Sequence, residues 1–301
     1  MGKSLKIIVN IAVFLLIAGF VWYLIHSKNT NETFFTQTQI EEPIITPYKQ
    51  VSSFSTPGEI NRIDLYDNQL YLSIEESVYI YDTEGNPLAS FNVNANVRDI
   101  AVDNSEIYVL YADYIEVYSK TGELIRGWEA CSSLSDYSSF DVVENYVFVT
   151  DARNKEICQY TIEGYFVRFI KSPQGFIIPS HTFDIEAWND TVYVVNSGRH
   201  LIESYTLDGK FIAAFGGSGA EAGSFVGCCN PAYISFTPEG NLVTSEKGNP
   251  RIALFDQDGT FKKIILNSPL LGGGVRAYEM RAEGNKLFVA GRSSIATFIK
   301  E

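Results

Sequence analysis

Short apolar runs, separated by polar turns, recur along the chain from about residue 60 to its end. Val147-Phe148-Val149 and Val192-Tyr193-Val194-Val195 are typical, with β-branched and aromatic residues bounded by Gly, Asn, Asp or Ser. Such runs are too short for helices and favour pleated strands whose two faces are both buried. Because no long amphipathic segment follows residue 30, the pattern predicts an all-β domain.

A turn that contains glycine recurs between the third and fourth runs of each unit. Its copies end at Gly85, Gly122, Gly164, Gly209 and Gly259. A period of roughly 40 to 50 residues in a pattern of strands alone is typical of the blades of a β-propeller. The first strands of the six predicted blades begin at or near Ile63, Asp99, Phe140, Phe183, Tyr233 and Tyr278.

The sixth unit ends at Glu301 after three strands, which would leave one sheet edge unpaired. Unpaired edges invite aggregation, so we expect another segment to cover this one. Residues 48–54 alternate as a strand does and stand just before the first blade. The sequence therefore predicts a six-bladed β-propeller over residues 48–301, closed by its two ends.

The first 26 residues have a different pattern. Between Ile7 and Ile25 only Asn10 interrupts the apolar residues, and this length suffices to cross a bilayer. Lys3 and Lys6 precede the span, which favours a cytoplasmic N-terminus. No pair of small residues marks a cleavage site, so we expect a transmembrane anchor over 1–26, with a signal peptide as the alternative. A polar linker over 27–47 would then hold the propeller outside the cytoplasm, on the periplasmic or cell-surface side.

Charge narrows the possible partners. The chain has a net charge of −13, and the first 30 residues contain three lysines and no acidic residue. The rest of the chain is therefore more acidic still, which argues against nucleic acid as a partner.

One face of the predicted propeller is locally basic despite this average. Turns between second and third strands share a face with the loops that lead into first strands, and Arg153, Arg199, Lys247 and Arg292 occupy such turns. They are either solvated turn residues or a ring at the channel mouth that receives a small anionic ligand or a protein partner. We place three further candidate binding residues on this face: His181, Asn230 and Glu246.

Four segments in and just before the fifth blade carry a resemblance to a known family. Residues 215–219, 230–234, 238–243 and 251–255 resemble the repeat of the NHL family of propellers. The resemblance implies the propeller fold and a platform that binds proteins or ligands, and a few such propellers are enzymes. Residues 227–231, Gly-Cys-Cys-Asn-Pro, also resemble a subgroup for which no activity is implied.

Four cysteines offer the strongest chemical signal. Cys228 and Cys229 are adjacent in the loop that leads into the fifth blade, whereas Cys131 and Cys158 belong to the third blade. One interpretation is two disulfides, of which Cys131 with Cys158 and Cys228 with Cys229 is one connectivity. The other is a redox or metal-handling role for Cys228, Cys229 and Cys131, because thiolates suit soft metals. The sequence requires no cofactor, and a thiolate-bound metal stays open.

Enzyme interpretations find little support in the residues. The chain has three histidines, too few for the zinc site of the amidating-lyase type of NHL propeller. A lactonase-type hydrolase would hold a divalent metal through oxygen ligands, for which Glu59, Asn61 and Asn230 are candidates, although such residues also favour turns. We identify no catalytic residue and predict a binding module, with the redox or metal-handling protein and the hydrolase as alternatives.

Overall fold

The computed structural model of the protein describes residues 15–18, 22, 48–219 and 221–300. Residues 15–18 and 22 are helical. Within these described ranges, no helix is long and apolar enough to cross a membrane. Most of the predicted span and all of the predicted linker lie outside the described residues.

Residues 48–300 form six four-stranded antiparallel sheets, which are the blades of a propeller. The fold class predicted for this part of the chain is thereby confirmed. In order from the innermost strand outwards, the blades are as follows: first, β2 (Ile60–Tyr66), β3 (Gln69–Ile74), β4 (Ser77–Asp82) and β5 (Pro87–Asn92); second, β6 (Asp99–Asp103), β7 (Glu106–Leu110), β8 (Tyr114–Ser119) and β9 (Leu124–Glu129); third, β10 (Tyr137–Val143), β11 (Tyr146–Asp151), β12 (Glu156–Thr161) and β13 (Phe166–Ile170); fourth, β14 (Ile185–Trp188), β15 (Thr191–Asn196), β16 (Leu201–Thr206) and β17 (Phe211–Gly216); fifth, β18 (Tyr233–Phe236), β19 (Leu242–Glu246), β20 (Arg251–Phe255) and β21 (Phe261–Leu266); sixth, β22 (Met280–Glu283), β23 (Lys286–Ala290), β24 (Ser294–Lys300) and β1 (Tyr48–Ser55).

The two ends of this region close the ring. β1 pairs antiparallel with β24, from Tyr48 opposite Lys300 to Ser55 opposite Ser294. The inner strands contact one another in cyclic order, including β22 with β2. The sixth blade thus acquires its fourth strand from residues that precede the first blade, which removes the edge that it would otherwise expose. A short 3-10 helix, Pro179–His181, lies in the loop that leads into the fourth blade.

A hydrophobic core fills each gap between neighbouring blades. Tyr71 of the first blade and Val109 of the second, for example, are buried in one core, and Phe148 of the third and Val194 of the fourth lie in another. Both faces of every blade are therefore covered. This burial explains why the middle strands read as nearly continuous apolar runs instead of alternating ones.

The recurring glycine is required by the same packing. Gly122 and Gly164 adopt φ of 82° and 92°, which other residues rarely do. A Cβ on Gly122 would lie 2.6 Å from Phe91, and one on Gly164 would lie 2.7 Å from Trp128. Each of these aromatic residues stands in the outermost strand of the preceding blade. The glycine turn is thus where one blade receives the outer strand of its neighbour.

Candidate functional site

The inner strands project two layers of side chains into the central channel, because alternate residues of a strand face the same side. Polar and charged residues dominate both layers, unlike the apolar cores between the blades. The upper layer is Arg62, Asp99, Ser139, Asp184, Tyr233 and Glu279, and the lower layer is Asp64, Ala101, Asp141, Glu186, Ser235 and Arg281.

Carboxylates of these layers bridge consecutive blades. Five of the six, all except Glu186, accept a hydrogen bond from a backbone N–H of the next inner strand. These contacts hold the blades in register around the channel, and a serine hydroxyl serves at the remaining junction. The N–H donors are Val102 to Asp64 at 2.7 Å, Phe140 to Asp99 at 3.1 Å, Ala187 to Asp141 at 2.6 Å, Ile234 to Asp184 at 2.8 Å, Ile63 to Glu279 at 3.0 Å and Tyr278 to Ser245 at 2.9 Å.

Two arginines neutralise part of this acidic lining. Arg281 Nε lies 3.0 Å from Asp64 Oδ1, and its other nitrogens lie 3.7 Å from Glu186 and 3.9 Å from Glu279. Arg62 Nε lies 3.4 Å from Asp99 Oδ1 and 4.0 Å from Glu279 Oε1. Carboxyl groups nevertheless outnumber arginines in the two layers, so the channel carries surplus negative charge if all of them ionise.

Protonation of some channel carboxyl groups reduces this surplus of negative charge. Burial raises the pKa of Asp184 to about 6, that of Asp141 to about 7 and that of Glu279 to about 8. The Ser139 hydroxyl lies 2.5 Å from Asp99 Oδ2 and 3.0 Å from Asp184 Oδ1, and its one hydrogen serves only one of them. The second contact is favourable when that carboxyl group is itself protonated. Near neutral pH the channel therefore holds protons.

A cavity of about 360 Å³ lies at one end of the channel, where the upper layer forms part of its wall. The loops that lead into the fourth, fifth and sixth blades supply most of the remaining wall, and the turn between β19 and β20 supplies Lys247. We call this space the mouth cavity. Its lining residues are Arg62, Ser180, His181, Thr182, Phe183, Asp184, Ala232, Tyr233, Lys247, Arg276 and Ala277.

Two cations of the mouth cavity have no carboxylate partner in the part of the chain that the structure describes. The nearest hydrogen-bond partner of Lys247 Nζ is Thr182 Oγ1 at 3.4 Å, and Arg276 Nε reaches the Ala277 carbonyl at 3.5 Å. Within the described part of the chain, neither forms an ion pair, although both are half-buried. His181 differs from them, because its Nε2 lies 3.1 Å from Asp136 Oδ2. The cavity thus presents positive charge above an acidic channel.

The predicted ring of basic turn residues does not converge on this cavity. Of its four members only Lys247 lines it. Arg199 Nε donates to the Gly175 carbonyl at 2.9 Å, Arg292 Nε lies 3.0 Å from Glu59 Oε2, and the Arg153 side chain is exposed. For Arg153, Arg199 and Arg292, the interpretation as solvated or locally bonded turn residues fits these positions better than that of a ligand-binding ring does.

Asn230 and Glu246 are buried and support the loop around Lys247. The Asn230 amide donates to the Val226 and Lys247 carbonyls at 2.6 and 2.9 Å, and its oxygen accepts from the Lys247 N–H at 2.9 Å. Glu246 Oε1 lies 2.6 Å from Arg251 Nε, and its Oε2 accepts from the Val226 N–H. Both residues position the loop instead of facing a ligand.

The four cysteines divide into two pairs. Cys131 and Cys158 form a disulfide with an S–S distance of 2.11 Å. Cys228 and Cys229 are free, with their sulfurs 2.6 Å apart, and Cys228 is exposed whereas Cys229 is buried. Asp151 has an oxygen close to both sulfurs of the disulfide, but a bonded sulfur offers no thiolate to a metal.

The oxygen ligands considered for a hydrolase are engaged elsewhere. Glu59 pairs with Arg292, and the Asn61 side chain, in an exposed residue, donates to the Val97 carbonyl at 3.4 Å. The Asn230 side-chain amide is hydrogen-bonded to backbone groups of Val226 and Lys247. The geometry therefore does not favour a divalent-metal site built from these residues.

The channel layers and two arginines that line the mouth cavity were not predicted from the sequence. Arg62 and Arg276 were not selected, and neither were the carboxylates of the two layers. Aligning the six first strands would have revealed the layers, because the residues before and after one buried apolar position are polar in nearly every blade. Arg276 lies in a loop, where no repeat predicts the direction of a side chain.

Comparisons with known proteins identify the fold alone. No family model matches the chain, and no curated protein matches it. Virginiamycin B lyase from Staphylococcus aureus is structurally similar, with a TM-score of 0.59 and 12% identity over 84% of this chain and 99% of that one. The WD40 β-propeller domain of Doa1 gives a TM-score of 0.59 at 11% identity, over 85% and 98% of the two chains. A streptogramin B lyase gives 0.55 at 14% identity, over 84% and 97%. At these identities the likeness supports the propeller architecture and leaves activity to the residues of the site.

Proposed function

We propose that the protein is a binding module whose mouth cavity receives a carboxylate or phosphate group. The observation that carries this proposal is the pair Lys247 and Arg276, two half-buried cations in a concave site that have no carboxylate partner among the residues that the structure describes. Removing charge from water is unfavourable unless a counter-charge or hydrogen bonds compensate for it. An incoming anion would supply both, through charge-assisted hydrogen bonds.

The channel below limits how deep such a group penetrates. Asp184 is buried at the floor of the cavity, and Arg62 beside it is already engaged with Asp99 and Glu279. An anion is therefore attracted to the rim and repelled by the channel lining. This arrangement favours a ligand that presents a terminal acidic group, either a small molecule or an acidic segment of a protein partner. The WD40 propeller among the structural neighbours and the NHL resemblance are compatible with a protein partner.

We further propose that the propeller is held outside the cytoplasm by an anchor over residues 1–26. The apolar segment 7–25 has the length of a membrane span. The Cys131–Cys158 disulfide supports an oxidising compartment, where such bonds persist. Protease accessibility of the propeller in intact cells, compared with that in lysed cells, tests this placement.

Binding is tested by calorimetric titration of the full-length protein with inorganic phosphate, citrate and a peptide of glutamates. The first two represent small ligands, and the peptide represents an acidic protein segment. We expect at least one to bind, and Lys247→Gln and Arg276→Gln each to weaken it about tenfold or more, because a charged hydrogen bond contributes about 1.5–3 kcal/mol. Arg153→Gln, a basic turn residue away from the cavity, is the matched control. Equal affinities in all four proteins, or no binding at all, would overturn the proposal.

A further inference from the structure

We propose that Cys228 and Cys229 are a thiol–disulfide exchange site whose substrates are disulfides that carry carboxylates. The recruitment of such a substrate rests on the proposed function, because the cations of the mouth cavity would bind its acidic groups. The chemistry itself rests on the cysteine pair and its loop. Neither the fold comparisons nor the binding proposal assigns this pair a role.

The two cysteines are held together by their loop. Their sulfurs lie 2.6 Å apart, close to the S–S distance of about 2.05 Å in a disulfide. Gly227 and Cys229 have φ of 80° and 65°, and a non-glycine residue rarely adopts such a value without a surrounding structure that enforces it. The buried amide of Asn230 supplies that structure through its bonds to Val226 and Lys247. Closing the bond between the two sulfurs therefore needs little further movement.

The loop of the pair is also joined to the wall of the mouth cavity. Asn230, the residue after Cys229, holds the Lys247 backbone through two hydrogen bonds of 2.9 Å, and Lys247 lines the cavity. The Lys247 ammonium and the Ser180 hydroxyl, which also lines the cavity, both act to lower the pKa of the Cys229 thiol against the larger effect of burial. An acidic group bound at the cavity rim would consequently place the rest of its molecule near the exposed Cys228. The cation that binds the ligand and the sulfur that reacts with it thus belong to one short stretch of surface.

The two sulfurs differ in access, and the difference sets the order of the steps. Cys228 is exposed, whereas only 2% of Cys229 is exposed and burial raises the pKa of its thiol. Cys228 as thiolate attacks one sulfur of the substrate disulfide, which releases the first substrate thiol and leaves a mixed disulfide. The Cys229 sulfur then attacks Cys228 Sγ and releases the second substrate thiol. Two protein thiols are oxidised to one disulfide, one substrate disulfide is reduced to two thiols, and the two protons pass to those products.

The rate of this exchange tests the proposal on the full-length protein. The protein is first reduced mildly, so that mass spectrometry finds Cys228 and Cys229 free and Cys131–Cys158 intact. It is then mixed with glutathione disulfide, which carries carboxylates, with neutral hydroxyethyl disulfide or with cationic cystamine. Alkylation at successive times measures the formation of the Cys228–Cys229 bond. We expect glutathione disulfide to react about fivefold faster or more than cystamine, since local charge of the right sign raises encounter rates.

Two variants separate recruitment from chemistry. Lys247→Gln should remove most of the preference for glutathione disulfide, measured as the ratio of its rate to that with hydroxyethyl disulfide in the same variant, and Arg153→Gln should keep this ratio. Cys228→Ser should stop formation of the bond with all three reagents. Equal rates for the three reagents, or no bond between Cys228 and Cys229, would overturn the inference. Either result would leave the calorimetric test of anion binding unaffected, so the two proposals fail separately.

Discussion

Arg276 and Arg281 stand on either side of the point where β22 begins, yet their surroundings differ. Arg281 lies in the channel within 4 Å of carboxylates of Asp64, Glu186 and Glu279. Arg276 lies at the rim, against the Tyr278 ring and a backbone carbonyl, with no ion pair among the described residues. The comparison separates a cation that is ion-paired within the fold, Arg281, from one that remains available to a ligand, Arg276. A half-buried cation that forms no ion pair with the described residues therefore identifies the site better than the mere presence of basic residues does.

Replacing each arginine by methionine should give the largest difference between the two positions, measured as a change in the free energy of unfolding. Arg281→Met leaves buried carboxylates without their counter-charge, and removing one partner of a buried ion pair costs about 3–5 kcal/mol. Arg276→Met, the matched control, removes no ion pair between described residues and should change the free energy of unfolding by less than about 1 kcal/mol. Urea unfolding of both variants measures the difference. A loss of stability in Arg276→Met equal to that in Arg281→Met would contradict the distinction between channel and rim.

The acidic channel should also make the propeller less stable as the pH rises. The folded-state pKa values of Asp184, Asp141 and Glu279, about 6, 7 and 8, lie above their ordinary values near 4. The folded protein thus binds more protons than the unfolded chain, so the free energy of unfolding decreases with pH between about pH 4 and 8. The stabilisation is complete below the unfolded pKa values and is lost as the pH passes through the folded ones. Urea unfolding at pH 5.5 and 8.5 measures this decrease.

Glu279→Gln assigns part of this pH dependence to one group. Glutamine cannot ionise, and its side-chain oxygen still accepts the hydrogen bond that the Ile63 N–H donates to Glu279. We expect the variant to lose about 3 kcal/mol less than the wild type between the two pH values, since one pKa unit corresponds to about 1.4 kcal/mol. The exposed Glu123→Gln is the control and should behave as the wild type does. If Glu279→Gln retained the full dependence, the protons would have to reside on other channel groups.

The fold was predictable from the sequence because its determinants are local and repeated. The turn glycines, such as Gly122 and Gly164, recur with the blades, and each has a steric reason to do so. The site was predictable only in part. Lys247 and His181 line the mouth cavity, whereas Arg199 and Arg292 occupy similar turns and bind other partners. Where a long side chain in a turn ends depends on its neighbours in three dimensions, and the repeat does not encode these.

Substitutions in the exposed basic turns should have the smallest effect on stability and on anion affinity. They test the comparison with cations that lie outside both the channel and the mouth cavity. Arg292 pairs with Glu59 at 3.0 Å, but 77% of the arginine side chain is exposed, and such surface pairs contribute about 0–1 kcal/mol. Arg292→Gln should therefore change the free energy of unfolding by less than about 1 kcal/mol. It should also leave the affinity for phosphate and citrate unchanged, because the side chain does not line the mouth cavity. A clear loss of affinity would extend the anion site from the cavity to the turn of the sixth blade. It would restore the ring of basic turns as the binding surface, with Lys247 as one of its members.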